Sequence, residues 1–215
     1  MTPENALLIA GGIWWPIIVT LGAFGLGAAL GVPICAMHVS RSRALHVVAV
    51  VLIVNLRSFP PIVWIFILYF GIGSGWLSIG PVPAAIVALG VITAANMAEI
   101  YRGALKSIHP GQWDASHALG LSTWSEFKDV MAPQLFRVTL PSATTYLIGL
   151  LKDSAIASTI GVMEITYLAG FLASKQFGAS LQIFAFAGAL YILISLPLAA
   201  VARIADARLR MKVAQ

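Results

Sequence analysis

The sequence predicts an all-α integral membrane protein with five transmembrane helices in one domain, residues 1–215. Two features of composition support this fold class: 60% of the residues are hydrophobic and only 10% are charged, with a mean hydropathy of +0.93. Soluble domains carry about 25% charged residues. A third observation fixes the number of spans. About 20 mostly apolar residues cross a bilayer as a helix, and the chain contains five runs of this kind.

The five runs differ in the polar residues that they carry. The first has no charged residue, the second is interrupted by Arg57 and a Pro-Pro pair, and the fourth carries Lys152 and Asp153. The expected bounds are 11–37, 44–71, 82–101, 139–163 and 181–202. Residues 103–138 form the polar loop between the third and fourth spans.

The basic residues orient the chain. Ten of the thirteen lie on one side of the predicted membrane. They are Arg41, Arg43, Arg102, Lys106, Lys128, Arg137, Arg203, Arg208, Arg210 and Lys212. Because Lys and Arg accumulate on cytoplasmic loops, the N-terminus is expected outside and the C-terminus and residues 103–138 in the cytoplasm. This distribution explains the net charge of +5 without a nucleic-acid partner.

The first run contains a Gly-x-x-x-Gly step, Gly27 to Gly31. Small residues at this spacing let two helices approach closely in lipid. The close contact lies either within one subunit or between two subunits, and the sequence leaves both open.

The polar segment at residues 110–133 predicts two short helices. Pro110 suits a first helical position, and Gly120 suits a left-handed C-terminal cap. Ser122 or Thr123 can open the second helix, with Thr123-x-x-Glu126 in the form of a capping box, and Pro133 is expected to end it. On the first helix Ala115, Ala118 and Leu119 share a face that a partner's groove could accept. An amphipathic hairpin lying on lipid is the alternative.

The spacing of this segment resembles the cytoplasmic "EAA" loop of membrane subunits in binding-protein-dependent ABC importers. That pattern reads Glu-Ala-Ala, three residues, Gly, nine residues, Ile-x-Leu-Pro. Here Asp114-Ala115-Ser116 stands for Glu-Ala-Ala, Gly120 keeps its spacing, and Val130-Met131-Ala132-Pro133 closes the pattern. The resemblance implies an ABC importer type I permease fold, whose coupling residues would be Asp114, Ala115, Ser116, Ala118, Leu119, Gly120 and Pro133.

Three further stretches are similar to the polar amino-acid branch of these permeases. They are Ala98-Glu99-Ile100-Tyr101-Arg102-Gly103, Pro110-Gly111-Gln112-Trp113 and Leu150-Leu151-Lys152-Asp153-Ser154. The resemblance implies a second permease subunit (a copy or a paralogue), two cytoplasmic ATPase subunits and an external solute-binding protein. It also implies the inner membrane of a bacterial cell. Branch members often have Arg-Gly-Thr-Pro in the second span, where this chain has Arg57-Ser58-Phe59-Pro60.

Charged residues within the predicted spans are candidates for a solute path. An ionised side chain at mid-bilayer costs about 3 kcal/mol or more, so it usually faces a cavity or a partner. Arg57 or Lys152 is a candidate for the carboxylate of an amino-acid solute and Asp153 for its ammonium, while Glu99 is nearer the interface, as is Glu164. Alternatively, Arg57 and Asp153 form an ion pair that joins the second and fourth spans.

The same residues exclude other functions. The chain has no Gly-x-x-x-x-Gly-Lys-Ser/Thr phosphate loop, so ATP and Mg²⁺ are expected on the partner ATPase and no cofactor on this chain. Its four histidines show no metal-ligand spacing, and no catalytic set is predicted. Among competing functions, an ATP-independent secondary transporter or channel predicts inverted repeats, which the sequence does not show. A scaffold without transport leaves Arg57 and Lys152 unexplained.

Overall fold

The computed structural model describes residues 2–73, 78–176 and 178–211, and the part that it describes is helical and contains no strand. Ten α-helices follow one another: α1 Pro3–Gly11, α2 Trp14–His38, α3 Arg43–Ser58, α4 Pro61–Phe66, α5 Pro81–Ser107, α6 Pro110–Ala118, α7 Thr123–Ser125, α8 Ala132–Asp153, α9 Ile165–Lys175 and α10 Ser180–Met211. Wide π-helical turns, Ile67–Ile72 and Glu126–Met131, follow α4 and α7, and a 3₁₀ segment, Ser154–Ile160, follows α8.

Three stretches of helix are long and apolar enough to cross a membrane: Pro3–His38, Pro81–Ser107 and Ser180–Ala200. Two bent pairs of helices raise the number to five if each pair is one span. The first stretch begins earlier than the predicted span, 11–37. Thr2 caps α1, and a short turn joins α1 to α2, so the helical stretch starts at Pro3.

Helices α2 and α5 run parallel and form the centre of the molecule. Their close approach depends on glycine: a Cβ on Gly27 would lie 2.3 Å from Thr93 Cγ2, and one on Gly31 would lie 2.8 Å from Met97 Cβ. The Gly-x-x-x-Gly step therefore packs within the subunit, and the alternative of a contact between subunits is wrong for these two glycines. A Cβ on Gly25 would meet nothing within 4 Å.

The second span is broken. Helix α3 and the segment Pro61–Ile72 meet at an angle of 99°, because the residue before a proline avoids the helical conformation and Phe59 and Pro60 are extended. Ile53 and Leu56 of α3 pack against Ala95 and Ala98 of α5, and α4 packs farther out against the first half of α5. The break leaves Arg57 in the last turn of α3, directly before the bend.

An outer layer forms a second core. Ile9 of α1, Ile165 and Ala169 of α9, and Ile183 and Ala187 of α10 are buried together. Helix α10 then continues alongside α8, where Ile192, Leu193 and Leu196 are exposed. The fold thus consists of α2, α4, α5 and α8 around a central core, with α1, α9 and the start of α10 at its outer end.

Candidate functional site

The polar segment folds into a short helix that ends in a tight left-handed turn. His109 opens α6, since its Nδ1 accepts the Gly111 N–H at 3.1 Å and Pro110 takes the first position. Gly120 has φ +68°, and backbone N–H groups of Gly120 and Leu121 donate back to His117 and Ser116. The predicted glycine cap is confirmed.

The outward face of α6 carries most of the predicted coupling residues. Asp114, Ala115, Ala118 and Gly120 are exposed, and Leu119 is 77% exposed. Ser116 is different: it is buried, and its Oγ donates to Gln112 O at 2.7 Å within the same helix. Ser116 is therefore not part of the exposed face, because its position on the helix turns it inward, and its role in coupling stays a prediction.

Ser122, one of the two residues predicted to open the second helix, is its N-cap, with its Oγ accepting the Ser125 N–H at 3.2 Å. The capping box at Thr123 is therefore wrong. Glu126 is 5% exposed and lies 3.6 Å from His117 Nε2. Its carboxylate contacts α6 across the turn instead of reaching back to a cap.

Pro133 does not end the second helix. It lies in the first turn of α8, directly after the π-helical turn Glu126–Met131. The helix continues beyond it as part of one helical stretch, Thr123–Ile160, which we call the rod. Proline disrupts a helix because it lacks an N–H and because its ring crowds the preceding turn. The turn that precedes Pro133 is the wide π-helical turn, so the helix continues past the proline. Pro133 is exposed, as a coupling residue requires.

Helix α6 is fastened to this rod at two points. His117 approaches Glu126, and Gln134 Nε2 donates to Gln112 Oε1 at 3.2 Å. Helix α7, the π-helical turn, α8 and the 3₁₀ segment form one continuous helical stretch, Thr123–Ile160. Side chains therefore join α6 to this stretch in addition to the chain itself.

A polar cluster lies between α5 and α8, and sequence reasoning missed it. Tyr146 OH is 3.2 Å from Thr93 Oγ1, and Asn96 Nδ2 donates to it at 3.3 Å. Thr93 and Asn96 also donate to carbonyls one turn earlier in α5. Uncharged polar residues inside apolar runs give only a weak signal, although their spacing of three places them on one face of α5.

Of the charged residues predicted for a solute path, Asp153 is on the same helix as this cluster. It lies seven residues after Tyr146 and so shares its face of α8. Within the described part of the chain, Arg57 and Asp153 form no ion pair within 4 Å. The alternative of a bracing pair is therefore wrong for this structure. Lys152 faces elsewhere, along α10.

Glu99 belongs to a separate ionic group in the second half of α5. Its carboxylate accepts two hydrogen bonds from Arg102, at 3.1 and 2.5 Å, and lies 3.0 Å from His38 Nδ1 of α2. His38 in turn supplies its carbonyl to His46 Nδ1 of α3 at 2.7 Å. Glu99 therefore joins α5 to the end of α2, and His38 joins the end of α2 to the start of α3.

Glu164 is buried, although the sequence suggested an interfacial position. It caps α9, accepting the Tyr167 N–H at 2.7 Å, and Tyr191 OH of α10 donates to it at 2.5 Å. A Cβ on Gly12 would lie 2.9 Å from the Glu164 carbonyl carbon. The α1–α2 junction therefore packs closely against the backbone at the start of α9.

Comparison with known proteins agrees with this arrangement. The profile of the family described as "Binding-protein-dependent transport system inner membrane component" matches residues 22–211. The chain is 31% identical over 174 residues to the "Probable amino-acid ABC transporter permease protein YckA" of Bacillus subtilis (strain 168), covering 81% of this chain and 77% of that protein.

A second relative and a solved structure extend over nearly the whole length. The "Glutamine transport system permease protein GlnP" of Escherichia coli (strain K12) is 32% identical over 214 residues, covering 97% of this chain and 95% of that protein. The fold matches the "Crystal structure of an amino acid ABC transporter with histidines" with a TM-score of 0.85 and 25% identity. This match covers 97% of this chain and 100% of the other.

Proposed function

The chain belongs to the binding-protein-dependent transport system inner membrane components, and from that membership we propose that it is the transmembrane permease subunit of an ATP-driven ABC importer. Its solutes are polar amino acids or related small zwitterions, which it moves into the cytoplasm by alternating access. The names of the relatives, a probable amino-acid permease and a glutamine permease, support this solute class.

The proposal includes partners that the chain requires. A second permease subunit completes the path, two cytoplasmic ATPase subunits bind ATP and Mg²⁺, and an external solute-binding protein delivers the solute. This chain is not an enzyme, and it takes no cofactor of its own. In the proposed orientation the N-terminus is outside and α6 is cytoplasmic, which agrees with the ten basic residues on that side.

The observation that carries the proposal is the exposed face of α6. Ala118 and Leu119 project from a helix that ends in a fixed turn at Gly120, and small apolar residues on a short helix fit a groove in a partner protein. Since α6 is fastened to the rod that becomes α8, closure of the ATPase subunits would move α8 and with it Tyr146.

The polar cluster supplies groups for a zwitterion. Arg57 can receive a carboxylate in bidentate fashion, Asp153 can receive an ammonium, and Tyr146 OH lies between Thr93 and Asn96. A site that replaces water around the carboxylate and the ammonium of an amino acid needs a positively charged and a negatively charged group. We propose Arg57, Asp153 and Tyr146 as the solute contacts, and Glu99 as a connector of helices at the cytoplasmic end of the path.

An ATP-independent transporter or channel is the competing function, and it leaves the exposed α6 face without a role. The two functions differ at Gly120. The left-handed backbone conformation costs a β-branched residue about 1–2 kcal/mol, whereas asparagine tolerates it. Gly120→Val should therefore lower the affinity for the ATPase about tenfold, and Gly120→Asn should preserve it.

The measurement is ATPase retained on the purified permease, together with ATP-dependent uptake in proteoliposomes with the binding protein. Gly120→Asn is the matched control, since a Cβ at this position meets nothing within 4 Å and only the backbone angle separates the variants. Solute uptake that is independent of ATP in the wild-type assembly would contradict the proposal.

A further inference from the structure

Glu126, the first residue of the π-helical turn, places a buried carboxylate against α6. Its Oε1 atom is shielded from solvent and has no hydrogen-bond partner among the residues that the structure describes. An ionised carboxylate is costly to remove from water unless its charge is paired, and an unpaired one takes up a proton instead. Glu126 therefore needs either a cation beside it or a proton.

His117 of α6 is in position to supply that cation. Its Nε2 lies 3.6 Å from Glu126 Oε1, and its side chain is 68% exposed, so it exchanges protons freely with water. The distance is too long for a hydrogen bond but suits an ion pair, which exists only while the imidazole is protonated. In the described part of the chain, no other cationic group lies within 4 Å of this carboxylate.

The other titratable groups of this region do not replace the pair. They are exposed side chains of α6, the rod and the end of α5: Asp114, His109, Lys128, Asp129, Arg137 and Lys106. None of them forms an ion pair within 4 Å with either partner in the described residues. His109 Nδ1 accepts the Gly111 N–H, so protonation there weakens the start of α6 and acts in the opposite direction. The second fastening of α6, between Gln112 and Gln134, carries no charge.

We propose that Glu126 and His117 are positioning residues that hold α6 on the rod by a proton-dependent ion pair. A histidine side chain ordinarily changes its charge between pH 5 and 8. At the acid end of this range the imidazolium pairs with Glu126 and α6 is held at both points. As the pH rises the imidazole loses its charge, and only the uncharged glutamine contact remains. The consequence rests on the proposed function: the transfer of motion from the ATPase to α8 weakens as the cytoplasm becomes alkaline.

Amide hydrogen exchange at the turn after α6 tests the pair in the full-length permease held in lipid nanodiscs. Exchange at Gly120 and Leu121, whose N–H groups bond within the turn, is compared at about pH 6 and about pH 8 after correction for intrinsic exchange. We expect protection to fall about two- to fivefold with rising pH, the range for an exposed ion pair. His117→Gln and Glu126→Gln should abolish this fall. His109→Gln, a matched loss of a histidine from the same segment, should keep it.

Uptake by the reconstituted full assembly separates this inference from the proposed function. The pH dependence of the partner subunits cancels in the ratio of wild-type uptake to His117→Gln uptake. This ratio should be about two- to fivefold higher at about pH 6 than at about pH 8 on the ATP side. A fall in protection that His117→Gln retains, or a ratio equal at both pH values, would overturn the inference. Wild-type uptake that needs no ATP would instead contradict the proposed function and leave the exchange result standing. Thermal melting of each variant checks that it folds.

Discussion

At the residue scale, the placement of Arg57 decides between two roles that the sequence left open. The 99° break after Ser58 leaves Arg57 in the last turn of α3, and no described carboxylate lies within 4 Å of it. This position fits a group that meets a transient anion better than a permanent brace.

We expect Arg57→Met to assemble normally and to lower ATP-dependent uptake about 10- to 100-fold, because a charge-assisted hydrogen bond contributes about 1.5–3 kcal/mol. Uptake and the yield of intact assembly are measured together. The double variant Arg57→Met with Asp153→Leu should remain inactive. If it regains both yield and uptake, the two residues form a structural pair in some state of the transport cycle, since replacing a buried ion pair with apolar groups is often neutral.

At the element scale, the contact between α2 and α5 depends on two glycines, and the remaining helices are arranged around this pair. Gly27 and Gly31 bring the backbones together where Thr93 and Met97 cross. Thr93 then contacts Tyr146 of α8. The packing of two helices thereby positions one side of the polar cluster.

Gly27→Ala should destabilise the subunit, because its Cβ would overlap Thr93 and lie 2.9 Å from the Ala94 nitrogen. Overpacking of this kind costs about 1–3 kcal/mol, which lowers the melting temperature of a chain of this size by about 2–10 °C. Gly25→Ala is the matched control in the same helix, with open space around the new Cβ. Equal melting temperatures for the two variants, measured in detergent, would show that the contact relaxes without cost.

At the scale of the whole molecule, the direction of the helices and the distribution of charge agree with the proposed orientation. Helices α2 and α5 end on the side where α3, α6 and the rod to α8 begin, and the basic residues of those ends lie there. The opposite end carries the segment before α5 and the small core of α1, α9 and α10. Partner ATPases and binding protein would therefore meet opposite ends.

Cysteine labelling tests this orientation. In a Cys35→Ala background, a cysteine replacing Ser78 should react with an impermeant maleimide in spheroplasts, and one replacing His117 should react only after permeabilisation. Both positions are exposed, so access across the membrane accounts for a difference. Ready labelling at 117 in sealed spheroplasts would reverse the proposed orientation and place α6 out of reach of an ATPase.

The sequence by itself determined the fold class, the left-handed turn at Gly120 and the exposed face of α6, because these depend on local composition and on the conformational freedom of single residues. The tertiary structure decided what depends on which faces meet. It turned Ser116 inward, carried the helix past Pro133 through a wide turn, and packed Gly27 against Thr93. It also brought Tyr146 to Thr93 and Asn96, 53 and 50 residues away along the chain. Such polar contacts arise from the crossing of two helices, and a one-dimensional pattern of apolar residues does not specify that crossing.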